Sequence, residues 1–497
     1  MQLLDDKMLL KSLMGYTAGG LIIPGMVDSH IHAPQYAFRG MGMDYELIEW
    51  LNTQTFPEEA KYKDADYAKK AYTIFADNMK NSATTRACIF ATRHREATEI
   101  LMDLMEETGL VTYVGKINMD RFAPDELVEE SADMSAFNTF GWINDIAGKY
   151  KRTKPILTPR FIPSCTDDLM DQLREIQRAY NLPVQSHLSE NKGEIEWVRQ
   201  LRPDSSFYGD SYDKHDLFGD ENLDSEKVNT VMAHCVWSSD EEVKLMRENG
   251  VFIAHCPASN INLTSGIAPV RKYLDRDMKI GLGSDVAGGQ TESIFRAIAD
   301  AICVSKMYLR YVDESSKAVT FEEAFYMATK GGGEFFDKVG SFEEGYEFDA
   351  VVLDDRVLPH PQELNLAQRM ERAVYLGLDA SAEEIGLKGY DTFMREDPNN
   401  RNQYANSANI DTHKDITVTV LTNAIPDAAG EGRAFIQFSK FYTEDPFKDV
   451  TVEEYFKIKD KIARQCVERY EAVTGCDLQS HIEEIVVASP VTWARYL

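Results

Sequence analysis

Short apolar runs alternate with stretches whose apolar residues recur at helical spacing along most of this chain. Residues 64–81 are of the second kind, because Ala68, Tyr72, Phe75 and Met79 fall on one helical face. Residues 182–188 are of the first kind and predict a buried strand ending near His187. Strands predicted in this way cover residues 82–92, 110–119, 154–161, 182–188, 228–234, 250–255 and 279–285. The predicted helices between them cover residues 64–81, 96–109, 135–150, 167–181, 193–201, 240–249 and 292–310.

With the apolar run at 21–23 included, this alternation repeats about eight times over roughly 300 residues. It favours an α/β fold, a (β/α)8 TIM-like barrel of parallel strands, over an antiparallel fold. In such barrels the chemistry lies where strands end and loops begin. Five of the ten histidines and one acid stand at or near predicted strand ends: His30, His32, His187, His234, His255 and Asp285. We therefore expect a functional site at that end of the barrel.

His30 and His32 are the first candidates for a metal site. Residues two apart on a strand point to the same side, so both imidazoles can face one ion. Imidazole suits zinc, which takes four ligands or three and a water. The pair alone is as readily explained by chance as by a metal. His94-X-Glu96 matches half of another zinc deaminase signature, but no Pro-Cys-X-X-Cys accompanies it, so we treat it as chance.

Length, charge and cysteines limit the classes of protein. A chain of 497 residues predicts two or three domains. A net charge of −29 argues against nucleic acid as a partner, since phosphates need cations. No apolar run reaches the length of a membrane span, and residues 1–20 do not read as a signal peptide. The seven cysteines form no Cys-X-X-Cys pair and predict a reducing, cytoplasmic location.

The motifs at the predicted strand ends resemble those of the amidohydrolase superfamily and, within it, of the guanine deaminases. His-X-His and an acid at the last strand are common to the superfamily. His-Ala-Pro-Gln and Thr-Pro-Arg-Phe narrow the resemblance to the guanine deaminases, and together the motifs cover about residues 20–380. The motifs are Pro24-Gly-Met-Val-Asp-Ser-His-Ile-His-Ala-Pro-Gln-Tyr36, Thr158-Pro-Arg-Phe161, Ser186-His-Leu-Ser-Glu190, Met232-Ala-His-Cys235, Ile253-Ala-His-Cys-Pro257 with Ser259-Asn260, and Ile280-Gly-Leu-Gly-Ser-Asp-Val-Ala-Gly-Gly289.

This resemblance implies that the chain deaminates a small molecule, guanine, by hydrolysis to xanthine and ammonia. It also implies a homodimer. It implies that one zinc ion binds the side chains of His30, His32, His187 and Asp285. Glu190 is implied as a proton shuttle, with His234 steadying the attacking water and Asp285 sharing in catalysis. Contacts to the base are implied for Gln35, Arg160, Phe161 and His187.

The chemistry of these residues agrees with those roles. Glu190 lies three residues after His187, within reach of a water at the same strand end. The guanidinium of Arg160 suits a carbonyl oxygen, and the amide of Gln35 can donate and accept at a base edge. Plainer roles remain open: a surface ion pair for Arg160, a helix-opening acid for Glu190 and a loop position for Gln35. We leave His255 out of the metal site as a structural residue.

A single metal is favoured over two. Two-metal members of the superfamily carry a bridging lysine at the end of the fourth strand. In this sequence that end carries Arg160, and Lys154 stands at the other end.

Two segments depart from the family pattern. We expect residues 1–23 to be a shortened N-terminal part of a small β-sandwich, followed by the barrel at 24–340. Residues 341–385 are predicted to form the returning part of this sandwich, which is therefore incomplete. Residues 386–497 are an extra α+β segment of uncertain role, with a polar linker at 396–409, a strand at 415–421 and a helix at 451–473. Residues 482–497 resemble the C-terminal part of phytoene desaturase-type FAD oxidoreductases, but the chain has no Gly-X-Gly-X-X-Gly for a flavin.

These departures keep other functions open. Within the same class, the chain could deaminate a related ring such as 8-oxoguanine, cytosine or a triazine. In another class, it could be an inactive chimeric or binding protein that keeps a metal and a base pocket without turnover. An acidic scaffold has only the net charge in its favour, and charge runs are usually solvated surface.

Overall fold

We describe a computed structural model of the chain over residues 21–219, 229–353, 364–376, 391–394, 416–420, 436–439 and 451–474. The chain divides into two compact units, one ending at Ala380 and one beginning at Ser381. The predicted N-terminal part at 1–20, the linker at 396–409 and the segment at 482–497 lie outside the described residues.

Parallel strands form the centre of the first unit. After β1 (Leu21–Pro24) they are β2 (Met26–His32), β3 (Thr84–Phe90), β4 (Val111–Gly115), β5 (Ile117–Asn118), β6 (Thr153–Pro155), β7 (Thr158–Pro159), β8 (Val184–Leu188), β9 (Thr230–His234), β10 (Phe252–His255) and β11 (Ile280–Leu282). Two four-stranded sheets have the orders β2-β3-β4-β6 and β11-β10-β9-β8, and β5 pairs with β7. All of these pairings are parallel, as the alternating pattern predicts.

Backbone contacts link the two sheets on both sides. On one side a parallel bridge joins Leu157 to Val184. On the other, the amide of Asp285 donates to the carbonyl of His30 at 2.9 Å, and the amide of His32 donates to the carbonyl of Val286 at 3.2 Å. The second link brings the end of the last strand against the end of β2, where the histidine pair lies.

Helices separate the strands, and their ends follow the local sequence. The Asp64 carboxylate accepts hydrogen bonds from the amides of Asp66 and Tyr67 and so begins helix Ala65–Lys80. Gly109, with φ of 82°, ends helix Arg95–Thr108. The longer helices of this unit are Ala65–Lys80, Arg95–Thr108, Ala132–Asp145, Asp167–Tyr180, Lys192–Leu201, Asp240–Glu248, Ile294–Tyr311 and Leu366–Leu376. Seven of these match the predicted helices to within a few residues, apart from the end of the one predicted at 135–150.

Shorter helices surround the strand ends. A 3-10 helix, Ala33–Phe38, follows β2, and Phe56–Glu59 follows a π-helical turn at Leu51–Thr55. The remaining short helices are Leu47–Trp50, Ala60–Lys63, Ile162–Ser164, Tyr208–Asp213, Pro257–Asn262, Val270–Leu274, Phe321–Tyr326, Met327–Gly331 and Glu334–Phe336.

A two-stranded antiparallel sheet stands beside the barrel strands. β1 pairs with β12 (Ala350–Leu353), with Leu21 opposite Leu353. β12 lies within residues 341–385, the predicted returning part of the β-sandwich, and it pairs with the apolar run that precedes the histidine motif. The domain boundaries given above stay predictions.

The second unit contains strands and a helix in its described parts. β13 (Asp391–Met394), β14 (Ile416–Val420) and β15 (Ile436–Ser439) form an antiparallel sheet in that order. The helix is Val452–Thr474. The strand predicted at 415–421 and the helix predicted at 451–473 are confirmed. In the described residues of both units, every helix is too short or too polar to cross a membrane.

Candidate active site

Four of the five strand-end histidines and one acid converge at the carboxyl end of the barrel strands. His30 and His32 come from β2, His187 from β8 and His234 from β9, and Asp285 follows β11. These are the strand-end positions that the sequence analysis singled out. The carboxyl ends of parallel strands meet at one rim, which explains how residues 255 positions apart can share a site.

The ligand atoms lie at distances that suit a tetrahedral metal ion. Four atoms about 2.0–2.1 Å from a zinc ion lie about 3.3 Å from one another. His32 Nε2 lies 3.3 Å from His187 Nε2, and Asp285 Oδ1 lies 3.1 Å from His30 Nε2 and 3.5 Å from His32 Nε2. Among the described residues, His30, His32 and His187 form one group able to hold a metal, and His30, His234 and Asp285 form another.

The protonation of the histidines also suits a metal. His187 Nδ1 lies 2.6 Å from the carbonyl oxygen of Arg160, so Nδ1 carries the proton and Nε2 offers its lone pair to the cluster. Burial lowers the pKa of His30 and lowers the pKa values of His32 and His187 well below the usual value, which keeps these imidazoles neutral. Three neutral imidazoles and one carboxylate are the donor set that divalent zinc takes.

The backbone at the strand ends is shaped to present these side chains. His234 and Asp285 have φ of 74° and 47°, a left-handed conformation that non-glycine residues seldom adopt. Gly283 allows β11 to approach β2, because a Cβ there would lie 3.0 Å from the Cβ of His30 and 2.9 Å from Cys256 Sγ. The Gly-Leu-Gly-Ser-Asp motif is therefore a packing motif as well as a source of the acid.

Asp28 ties the two strand ends together from below. Its Oδ1 accepts hydrogen bonds from the amides of Ser284, at 3.0 Å, and His30, at 3.2 Å. Its Oδ2 accepts from the Ser284 hydroxyl at 2.5 Å. The sequence analysis did not assign Asp28 a role, although it lies two residues before His30 and could have been noticed for that reason.

Glu190 stands beside the metal candidates, held by neighbours on other loops. Its Oε1 accepts a hydrogen bond from the Ser265 hydroxyl at 3.0 Å, and its Oε2 lies 3.5 Å from His234 Nε2. Burial raises the pKa of Glu190, and the nearby His234 offsets only part of that rise. A carboxyl group with a raised pKa can both take up and release a proton near neutral pH.

His234 is held in turn by Asn260. His234 Nδ1 donates to Asn260 Oδ1 at 2.8 Å, which directs Nε2 towards Glu190 and towards Asp285 Oδ2, 3.8 Å away. Burial acts to lower the pKa of His234, but the carboxylates of Glu190 and Asp285 outweigh it and the pKa is raised. Asn260 belongs to one of the quoted motifs, but no role is predicted for it, and its contact with His234 is seen only in the fold.

Ser265 provides a test of how Glu190 is held. We expect Ser265→Ala to lower kcat by about tenfold to a hundredfold, the value of a hydrogen bond to a charged group. Metal content should not change, because Ser265 is not one of the metal candidates among the described residues. Steady-state kinetics with metal analysis checks this, and Ser305→Ala, a buried serine of helix Ile294–Tyr311, is the control. Equal kcat in both variants would contradict the positioning.

The polar recognition residues line a pocket above this cluster. Gln35, Arg160 and Phe161 line it together with His187 and Glu190. Phe161 also packs edge-on against Trp197, with ring centroids 6.1 Å apart. Two nitrogens of the Arg160 guanidinium already have a partner within the protein, because Nη1 and Nη2 donate to Glu59 at 2.5 and 3.1 Å. The sequence analysis missed Glu59, which lies 101 residues before its partner.

The pocket has an apolar side that the sequence analysis also missed. It comes from the segment after β2 and from the loop before Ser265, and consists of Leu47, Ile48, Trp50, Leu51 and Leu263. Glu194 lines the pocket as well, and its Oε2 accepts from the Glu190 amide at 3.2 Å. An apolar wall facing a set of convergent polar groups is typical of pockets for small molecules.

Two other histidines lie apart from the cluster. His255 on β10 is buried and makes no hydrogen bond with the described residues, and burial lowers its pKa to about 3. It is absent from both groups of metal candidates in the described part of the chain. His94 stands before helix Arg95–Thr108, at the position of its cap.

Comparisons with known proteins show the family to which this chain is similar. The profile of the amidohydrolase family matches residues 21–377. A guanine deaminase of Dictyostelium discoideum is 41% identical over 376 residues, which cover 74% of this chain and 81% of that protein. One of Homo sapiens is 38% identical over 380 residues, covering 74% and 82%. The resemblance of residues 482–497 to desaturases has no support in these comparisons.

A solved structure extends the similarity to three dimensions. The crystal structure of guanine deaminase from C. acetobutylicum with guanine in its active site is 47% identical. The similarity covers 76% of this chain and 87% of that one, with a TM-score of 0.70. A triazine hydrolase at 18% identity and a TM-score of 0.63 shares the fold alone. This chain therefore belongs to the amidohydrolase family, in the branch that contains the guanine deaminases.

Proposed function

We propose that this chain hydrolyses guanine to xanthine and ammonia with one zinc ion per chain. The observation that carries the proposal is the convergence of the His30, His32 and His187 imidazoles and the Asp285 carboxylate, next to a pocket lined by Glu190, Arg160 and Gln35. The similarity to guanine deaminases, one of them with guanine bound, supports the same substrate.

In the proposed site the metal is held by His30, His32, His187 and Asp285. Zinc bound there supplies a nucleophile at neutral pH, because it lowers the pKa of a bound water from 15.7 towards about 7. The donor set fits this role, since the imidazoles are neutral and the burial of Asp285 is offset by the histidines, which lower its pKa.

The protons of the reaction are moved by Glu190. The water oxygen forms a bond to C2 of guanine, and Glu190 takes up the proton that the water releases. Glu190 then delivers this proton to the adjacent ring nitrogen, which receives the electron pair of the opened C=N bond. When the C2–N bond of the amine breaks, a second proton from the added hydroxyl leaves with the nitrogen as ammonia. His234, oriented by Asn260, donates a hydrogen bond that steadies the attacking oxygen.

Substrate recognition is assigned to the residues around this centre. The remaining N–H groups of Arg160 suit the oxygen at C6 of guanine, and the remaining proton of Gln35 Nε2 suits a ring acceptor. Phe161 stacks on the ring, and the apolar wall excludes water from the opposite face. A homodimer and a cytoplasmic location stay predictions.

The proposal is tested by incubating the purified chain with guanine and measuring xanthine, ammonia and bound zinc. We expect stoichiometric xanthine and ammonia, with about one zinc per chain, because the proposed metal ligands form a single set. The same assay with 8-oxoguanine, cytosine and a triazine separates the related deaminases. Zinc without turnover of guanine would contradict the proposed substrate, and turnover that survives complete removal of metal would contradict the metal's role.

A further inference from the structure

We infer that Glu59 is a positioning residue that fixes the two polar side chains with which the pocket recognises its substrate. Glu59 is the last residue of helix Phe56–Glu59. Its Oε2 accepts from Arg160 Nη1 at 2.5 Å, and its Oε1 accepts from Arg160 Nη2 at 3.1 Å and from Gln35 Nε2 at 3.0 Å. The inference rests on the proposed function, since it assigns a substrate-dependent role within that site.

Glu59 acts through its neighbours. Its exposed fraction is 1%, and it is not among the described residues that line the pocket, whereas Arg160 and Gln35 both line it. A buried carboxylate is costly unless it is paired and hydrogen-bonded, and here three bonds from two side chains satisfy it. The ring of Phe56, from the same short helix, lies 5.3 Å from the guanidinium carbon of Arg160 and supports its plane.

The arrangement decides which hydrogen-bonding groups face the substrate. Gln35 Oε1 accepts from the amide of Ala287 at 3.2 Å, while Gln35 Nε2 donates to Glu59. These two bonds fix which way the amide faces and leave its second Nε2 proton for a ligand. Arg160 has donors only. With Glu59 holding both side chains, Gln35 and Arg160 each present hydrogen-bond donors to the pocket.

A pair of donors selects a class of substrate. It fits a planar ring with two hydrogen-bond acceptors on the side away from the reacting carbon, as a 6-oxopurine has. A ring that lacks the oxo group leaves the Arg160 donors without a partner. A site built to hydrogen-bond its substrate rejects such an analogue strongly, because its buried polar groups stay unpaired. The backbone carbonyl oxygen of Arg160 also accepts a hydrogen bond from His187 Nδ1. The residue that would bind the oxo group is therefore joined to a metal candidate.

Glu59→Gln tests the inference with almost no change of volume. The amide of Gln has one acceptor oxygen, and its NH2 group must face a donor of either Arg160 or Gln35, so one of them loses its fixed position. The probes are guanine and 2-aminopurine, which keeps the amine at C2 and lacks the 6-oxo group. We expect the wild-type ratio of kcat/KM between the two, about a hundredfold or more, to fall by about tenfold or more in the variant. The change should come mainly through a higher KM for guanine.

Glu129→Gln is the matched control. Glu129 is also buried and accepts from a buried cation, Lys116 Nζ, at 2.7 Å, but it is not among the described residues that line the pocket. Bound zinc and Tm are measured for both variants. We expect Glu129→Gln to lower Tm and to keep the wild-type ratio, because it weakens a buried ion pair whose two residues are not among the described pocket residues.

The outcomes separate the inference from its alternatives. A Glu59→Gln variant that keeps the wild-type KM and ratio would overturn the inference, as would a loss of kcat for both rings with the ratio preserved. If Glu59→Gln does not fold, Glu59→Asp, which keeps the charge but shortens the reach, is measured in the same way, and an unchanged ratio there overturns it as well. Failure of the wild-type chain to form xanthine would instead contradict the proposed function.

Discussion

We expect Glu190→Gln to lower kcat for guanine by about 10²–10⁴-fold, the usual contribution of a positioned acid–base group. Gln has the same shape, so its carbonyl can still accept from the Ser265 hydroxyl, which lies 3.0 Å from Glu190 Oε1. It cannot ionise, and the proton released by the attacking water then has no carboxylate to receive it. Because Glu190 is outside both groups of metal candidates among the described residues, we expect bound zinc to stay at the wild-type level.

The matched control for this variant is Glu242→Gln. Glu242 is buried and accepts from the Ser189 hydroxyl at 2.8 Å, as Glu190 accepts from Ser265, but it is not one of the described pocket residues. We expect this variant to keep most of its turnover. Single-turnover kinetics and zinc analysis distinguish the two effects. A Glu190→Gln chain with wild-type kcat would show that another group carries the proton, and one without zinc would show that Glu190 is needed to assemble the metal site.

The metal candidates could be predicted from the sequence because they follow local rules. His30 and His32 share a side of one strand by the period of two, and His187, His234 and Asp285 stand at ends of strands that an α/β barrel brings to one rim. His255 also stands at a strand end, but it is not part of the predicted metal site, and it is outside both groups of metal candidates among the described residues.

The supporting residues could not be predicted in this way. Glu59 contacts Arg160 across 101 positions, and Ser265 contacts Glu190 across 75, so neither pairing has a local pattern. Both acceptors are carboxylates in short loops or helix ends, where a solvated acid is the more common outcome. The plain alternative for Arg160, an ion pair, is present, but it is buried in the pocket wall. An ion pair and a role in recognition are therefore compatible at this residue.

The metal itself is tested most directly by Asp285→Asn. The Asp285 carboxylate lies 3.1 Å from His30 Nε2 and 3.5 Å from His32 Nε2, and the four side chains together make the proposed ligand set. Asn keeps the volume of the side chain and removes the negative charge. The Asp285 carboxylate is the only anionic ligand of the proposed set. We expect bound zinc to fall well below one per chain. Turnover should fall at least about 10³-fold, because the pKa of the attacking water returns from about 7 towards 15.7 when the metal is lost.

Asp300→Asn shows whether the loss is specific to the site. Asp300 is a largely buried acid of helix Ile294–Tyr311 that accepts from Arg296 Nε at 2.9 Å. Zinc should raise the Tm of the wild type and of this control, since a ligand that binds only the folded state stabilises it, and should leave the Tm of Asp285→Asn unchanged. A metal-free Asp285→Asn chain that still deaminates guanine would mean that the nucleophile is generated without the metal. An Asp285→Asn chain with full zinc content would mean that the three imidazoles alone hold the ion, and that the carboxylate acts on the water.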